Sequence, residues 1–382
     1  MNEETEKIYS DQIAPGIKGD IYGRELPDMR GELAEVLKQR NIQIPGLEPI
    51  KLEHGEIIRP GGGKLVEYFG DTVEKGGVEN FIIATFLAAG YKEEEIPGIL
   101  QDVGSLRKQV QPPRDNEFFR VINSDIRLFV FGVIEKLLVG NSVLKNIENL
   151  QEGYELNKEG KKVFLFCNHQ SESDPAVFEI LLKKAADEAN LTWLSEEISK
   201  KLVTVAGLKI YLNPLRRFFT AAINLLITIA DKYRMKLERG QEARIFANAY
   251  VANVSNVLKA LAVSPEHLCW IHPEGGRTKN KEMLFQRSIG AILDENTYII
   301  PIFIDGSGKI LPQGGDGSEP RQMFPAEVEI TVGKPLIVKK DRQRSSLENV
   351  VLGYQRSLRE AGADLRSLKF GTILGDKRKK IL

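Results

Sequence analysis

Lys162–Asp174 reads KVFLFCNHQSESD, and the change of character inside it governs the reading of everything around it. Val163 to Cys167 is an unbroken apolar run whose length and composition suit a buried strand. The polar Asn168-His169-Gln170 ends it. Asp174 follows, then Pro175 and the apolar-periodic AVFEILLKKAADEA. Asp before Pro reads as an N-cap and a first helical position. His169 is therefore expected where a strand ends and Asp174 where a helix begins. A turn between them brings the two side chains together. The carboxylate then fixes the imidazole tautomer and leaves the other ring nitrogen as a general base. The competing reading is a plain helix cap beside a turn histidine.

Downstream, a second buried-strand run, Leu268–Ile271, leads into His272-Pro273-Glu274-Gly275-Gly276-Arg277. Strand-like and helical stretches alternate between the two blocks and beyond. The expected strands are Val163–Cys167, Leu191–Leu194, Asn224–Ile229, Leu268–Ile271 and Tyr298–Ile304. The expected helices are Ala176–Ala189, Arg239–Leu261 and Leu284–Leu293. This rhythm implies an α/β fold, a mostly parallel sheet covered by helices. Sites in such sheets form at the carboxyl ends of strands, where both blocks fall. Glu327–Val332 reads as an edge strand, Ser345–Ala361 as a final helix, and Gly306–Pro320 as a loop suited to a lid.

Ahead of this lies a smaller region, expected to be an all-helical N-terminal domain. Its helices are read at Met29–Arg40, Val78–Ala89 and Lys92–Val103, and a Pro/Gly-rich connection occupies Pro45–Gly63. The division is placed at residues 1–110 and 111–382. Asn116–Leu144 reads as one long helix tying the two parts together.

The chain has 382 residues, enough for one large and one smaller unit. Lys+Arg and Asp+Glu are both 53, so no net positive field gathers phosphates, which argues against a general nucleic-acid binder and leaves room for a local basic pocket. Cys167 and Cys269 both sit in apolar runs and read as buried free thiols. Without a CxxC or Cys/His cluster, no metal is expected. The acidic start MNEETEKIYSD resembles no signal or transit peptide. No apolar run approaches the roughly 20 residues of a membrane helix. A soluble, cytoplasmic protein is expected. The basic tail DKRKKIL offers weak peripheral contact with anionic lipid heads.

The two histidine blocks together resemble those of the glycerolipid acyltransferases, with their His-x4-Asp and Pro-Glu-Gly-x-Arg-like motifs. Asn168-His169-Gln170, Asp174-Pro175 and the Gly275-Gly276-Arg277 run are most similar to the soluble, plastid-type glycerol-3-phosphate acyltransferases. The likeness covers roughly Lys75–Val338. It implies a helical domain ahead of the catalytic one, and a second basic residue after Arg277, here Lys279. It also implies a Lys-Lys-His run after the Asn224–Ile229 strand, where this chain has Lys232-Tyr233-Arg234. Tyr233 carries no charge, which departs from the pattern. Pro301 matches a further block, expected to shape the acyl channel.

The resemblance implies transfer of a fatty acyl chain from an acyl thioester, on acyl carrier protein or coenzyme A, to the 1-hydroxyl of glycerol 3-phosphate. His169 is the base and Asp174 its orienting partner, a triad logic with the substrate hydroxyl in place of serine. No Gly-x-Ser-x-Gly elbow is present, so direct transfer is expected, with no cofactor. Arg277, Lys279, Lys232 and Arg234 are the expected phosphate ligands. Backbone N–H groups at Gly275-Gly276, or at the helix start near Pro175, are the oxyanion candidates. Two other readings stand beside this one: acylation of lysophosphatidic acid at position 2, and a non-catalytic lipid- or acyl-carrier-binding protein.

Overall fold

The computed structural model describes residues 47–69, 78–110, 119–120, 122–230, 234, 237, 241–278, 281–312, 322–339, 346–374 and 377–380. A short hairpin of β1 (Ile50–Lys51) and β2 (Ile57–Ile58) comes first, then α1 (Gly62–Phe69), α2 (Val78–Ala88) and α3 (Ile96–Gln109). The hairpin corrects the all-helical expectation for this region. Its two strands lie inside the Pro/Gly-rich connection, where a turn at Gly55 with φ 91° lets the chain fold back. The helix expected at Met29–Arg40 lies outside the described residues. The N-terminal helices share the main apolar core: Phe86 meets Phe129, ring centroids 5.2 Å apart, and Phe81 meets Phe219 at 5.6 Å.

The long helix expected over Asn116–Leu144 is shorter. β3 (Phe119–Arg120) precedes α4 (Ser124–Leu137), and β4 (Val143–Lys145) follows it. Asn123 accepts the Ile126 N–H and caps α4, which is why the helix starts there. Then come α5 (Ile147–Lys158), β5 (Val163–Cys167), α6 (Asp174–Glu188), α7 (Thr192–Lys201), β6 (Leu202–Gly207), α8 (Leu208–Leu212), α9 (Pro214–Thr220) and β7 (Leu225–Thr228). They are followed by α10 (Glu242–Ala262), β8 (Leu268–Ile271), β9 (Glu282–Gln286), α11 (Arg287–Gly290), β10 (Tyr298–Asp305), α12 (Ser307–Ile310), β11 (Glu329–Val332), β12 (Leu336–Ile337), α13 (Ser346–Glu360), β13 (Lys369–Leu374) and β14 (Lys377–Lys380).

The main sheet runs β3-β7-β6-β8-β5-β10-β11-β4, with β12 also on β10. Its centre, β7-β6-β8-β5-β10, is parallel throughout. The α/β class with a mostly parallel, helix-covered sheet is therefore observed. β5 carries Val163, Phe164, Leu165, Phe166 and Cys167, none of them exposed, as a strand covered on both faces requires. Cys167 and Cys269 are free and buried, as expected. Among the described residues, no helix is long and apolar enough to cross a membrane.

Three local expectations are corrected. Leu191–Leu194 opens α7 instead of forming a strand. Leu194, Ser195, Ile198 and Ser199 are its buried residues, a helical repeat that a four-residue apolar run does not reveal. Leu284–Leu293 is helical only over Arg287–Gly290, the short α11. Its first part belongs to β9, which pairs in parallel with β13, and β13 pairs antiparallel with β14 of the basic tail. β11 is no edge strand, because it lies between β10 and β4.

One buried ion pair ties three helices together. Arg127 on α4 and Glu179 on α6 are each 2 % exposed and 2.7 Å apart. Ser199 of α7 donates to the same carboxylate at 2.6 Å, and Arg127 also donates to the Ala222 carbonyl at 3.2 Å. Removing one partner strands a buried charge. Arg127→Met alone is expected to cost about 3–5 kcal/mol in urea unfolding, and pairing it with Glu179→Leu should recover most of the loss.

Candidate active site

Parallel strands deliver both histidine blocks to one end of the sheet. After β5, Asn168 donates to the Ile304 carbonyl (2.8 Å) and accepts the Ile304 N–H (2.7 Å), extending the β5–β10 pairing by a side chain. This anchors the turn that carries His169. Asp174 opens α6 at its first helical position, and Ser173, not Asp174, is the N-cap residue. The carboxylate is fully buried. It accepts from the Gln170 and Ser171 N–H groups at 3.0 Å and from the Ser307 hydroxyl at 2.6 Å. Its fourth partner is His169 Nδ1 at 3.0 Å.

Burial alone would raise the Asp174 carboxyl. The hydrogen bond and charge of His169, His272 and the Ser307 hydroxyl outweigh it and hold the group below the usual carboxylate value. The ionised carboxylate needs a proton on His169 Nδ1. Nε2 of the neutral ring then carries the lone pair that a general base uses. The His169 side chain is 13 % exposed and borders a cavity of about 530 Å³, within the usual range for small-molecule pockets.

His272 stacks on His169, centroids 4.1 Å apart and planes 20° from parallel. Nδ1 lies 3.1 Å from the Cys167 carbonyl and so carries the proton, while Nε2 accepts the Trp270 indole N–H at 3.1 Å. Burial, and then the charge of His169, push His272 down to about 3. It is a neutral platform beneath the base. One of its ring nitrogens lies within 4.8 Å of a His169 ring nitrogen and an Asp174 carboxylate oxygen, but both of its ring nitrogens are already engaged. The cluster suits proton transfer better than metal coordination. This role for His272 was not read from the sequence, because the signal lies in its contacts with the neighbouring strand's Cys167 carbonyl and with the His169 ring.

Glu274 locks the second block to the first. The Thr278 hydroxyl lies 2.8 Å from both Glu274 carboxyl oxygens, and the Thr278 N–H donates to the His169 carbonyl at 2.7 Å. Burial pushes the Glu274 carboxyl well above its usual 4.5, and the buried Asp174 adds to this. A raised carboxyl supports the fold fully below pH 4.5, and that support is lost as pH rises through the folded value. Glu274→Gln is therefore expected to be at least as stable as the parent at neutral pH. The difference should shrink towards pH 4.5, as read from thermal melts across the range.

Gly275 sits at φ 63°, and a Cβ there would meet Gln286 Cγ at 3.1 Å, so glycine suits the turn. The Gly275 N–H is spent on the His272 carbonyl at 3.0 Å, which withdraws it from oxyanion binding. Gly276 borders the cavity beside it.

Arg277 also borders the cavity. It donates to the Leu311 carbonyl at 3.1 Å and lies 3.5 Å from Glu172. Arg234 is half-buried and donates to Asn248 of α10 at 3.4 Å, and it is not among the residues bordering the cavity. Lys232 and Lys279 lie outside the described residues. Pro301 sits inside β10, opposite Phe166, and does not border the cavity either. The cavity wall instead comes from β6, β7, α10, β9, α11 and β13, through side chains such as Val205, Leu225, Val254, Leu284, Ile289 and Ile373. Such a wall accepts a hydrocarbon chain. Arg216, on α9, and Glu172 border the same mouth as His169, and neither was singled out in the sequence.

Residues 142–305 match the Acyltransferase family model. The chain is 32 % identical over 168 residues to a chloroplastic glycerol-3-phosphate acyltransferase of Spinacia oleracea, covering 42 % of this chain and 32 % of that one. For the chloroplastic enzyme of Arabidopsis thaliana the identity is 30 % over 159 residues, with 41 % and 31 % covered. For that of Phaseolus vulgaris it is 29 % over 142 residues, with 36 % and 28 % covered. The chain thus spans about a third of the length of the curated relatives it matches. These matches bear out the resemblance to the plastid-type glycerolipid acyltransferases, and the family model covers the segment that holds both histidine blocks.

Proposed function

We propose that this acyltransferase domain moves a fatty acyl chain from an acyl thioester to the 1-hydroxyl of glycerol 3-phosphate. The products are lysophosphatidic acid and a free thiol. The observation that carries the reading is the His169–Asp174 pair at 3.0 Å, with His169 bordering a cavity that Arg277 and a run of apolar side chains also border. The names of the matched relatives support the acceptor.

In the proposed reaction, His169 Nε2 removes the proton of the acceptor hydroxyl as its oxygen attacks the thioester carbonyl. The attack forms the ester C–O bond, and collapse of the tetrahedral intermediate restores the carbonyl and breaks the C–S bond. The leaving thiolate takes the proton from His169. Asp174 stabilises the imidazolium between the two steps. Arg277 places the acceptor through its phosphate, and the cavity removes the acyl chain from water.

The test is a thiol-release assay with purified protein and palmitoyl thioesters of coenzyme A and of acyl carrier protein. Each donor is offered with glycerol 3-phosphate or with lysophosphatidic acid. Release that requires glycerol 3-phosphate is expected, and the donor that works identifies the carrier. Release with lysophosphatidic acid alone would replace the acceptor. No release with either, from folded protein, would overturn the reading.

A further inference from the structure

At the mouth of the cavity one carboxylate oxygen serves two guanidinium groups. Glu172 Oε1 lies 2.9 Å from Arg216 Nη1 and 3.5 Å from Arg277 Nη2. The arginine side chains are each 10 % exposed and that of Glu172 14 %, so the cluster is largely screened from water. All three residues border the cavity together with His169. The arginines come from separate elements, α9 and the loop after β8. Glu172 lies three residues beyond the base, in the turn that Asp174 holds.

We propose that Arg216 is a second anion-binding guanidinium for the acceptor phosphate, and that Glu172 keeps its place until the phosphate arrives. The inference rests on the reading of the acceptor as a phosphate-bearing alcohol. Arg216 and Arg277 set two guanidiniums at a partly desolvated site, where electrostatic attraction is stronger than in bulk water. A phosphate monoester carries about −1.5 to −2 at pH 7 and offers three strong acceptor oxygens. It can therefore serve both guanidiniums better than a single carboxylate oxygen does. Arg277 is braced by the Leu311 carbonyl through Nη1, so the Nη2 edge that faces Glu172 is the edge presented to an incoming anion. Glu172 and phosphate repel one another, so occupancy by one requires withdrawal of the other. In the absence of substrate the carboxylate holds the two forks in position, which reduces the ordering cost of binding.

The test uses the full chain, with calorimetric titration of inorganic phosphate and of glycerol 3-phosphate, followed by steady-state kinetics. Arg216→Gln is expected to weaken both ligands tenfold or more. It should raise the acceptor KM by a similar factor while leaving the acyl-thioester KM unchanged. Arg216→Lys should recover only part of the loss, because an ammonium keeps the charge without the fork. Glu172→Gln should tighten inorganic phosphate several-fold. Unchanged phosphate affinity in Arg216→Gln, or an equal effect on the thioester KM, would overturn the assignment of Arg216. Weaker phosphate binding by Glu172→Gln would overturn the exchange. If Arg216→Gln does not fold, Arg216→Lys and Glu172→Gln still decide the matter. Phosphate binding that depends on Arg216, in a protein that transfers no acyl group, would sink the proposed reaction and leave this inference standing. Acyl transfer to glycerol 3-phosphate that ignores Arg216 would do the reverse.

Discussion

His169→Ala is expected to lower acyl transfer by about 10²- to 10⁴-fold, the usual contribution of a positioned general base. An alcohol does not lose its proton at neutral pH without such a group. The neighbouring imidazole cannot take over. His272 uses Nδ1 on the Cys167 carbonyl and Nε2 on Trp270, and it is pushed down to about 3. Phosphate binding should survive in the variant, because the proposed anion site is built from the guanidiniums of Arg216 and Arg277 and not from the imidazole. Single-turnover measurements of thiol release, with calorimetric phosphate titration alongside, check both halves. A variant with near-normal turnover and intact phosphate binding would remove His169 from the mechanism.

Asp174→Asn is expected to cost about as much in turnover, roughly 10²- to 10⁴-fold, and to lower stability as well. An amide cannot accept from His169 Nδ1, the Ser307 hydroxyl and the Gln170 and Ser171 N–H groups together, because one of its heavy atoms only donates. The imidazole loses the partner that fixes its tautomer, and buried N–H donors are left unpaired. The stability loss at neutral pH is expected at about 2–4 kcal/mol. Its sign with pH follows from the depressed carboxyl. The support from Asp174 is present above its ordinary value of 3.8 and is lost as pH falls through the folded value. Urea unfolding of parent and variant should therefore diverge at pH 7 and converge as the folded carboxyl takes up its proton. Parallel curves at all pH values would mean that the carboxylate contributes nothing in its charged form.

The His169–Asp174 pair was legible in the sequence because its geometry is local. A strand of known length, a polar turn and a helix start place both side chains within five residues of one another. The same holds for β5 and β8, whose continuous apolar runs leave little choice but burial on both faces. Leu191–Leu194 was misread because four apolar residues fit a strand or one helical turn equally well. Only the buried faces of Leu194 and Ile198 separate the two. Leu284–Gln286 of β9 was misread as part of a helix because its partner, β13, lies far along the chain and local periodicity carries no trace of it.

The sequence by itself determined the α/β class, the carboxyl-end position of the two histidine blocks, and the pairing of His169 with Asp174. Strand length, turn composition and helix starts are set by neighbouring residues, so they can be read in one dimension. Tertiary structure alone decided that His272 is a neutral platform and that Glu274 bolts one block to the other. It also decided that strands and helices from β6 to β13 wall the cavity, and that Arg216 and Arg277 share Glu172. Each of these depends on which distant segments the sheet order brings side by side. That order is chosen by burial of the whole core, and no short stretch of the chain encodes it.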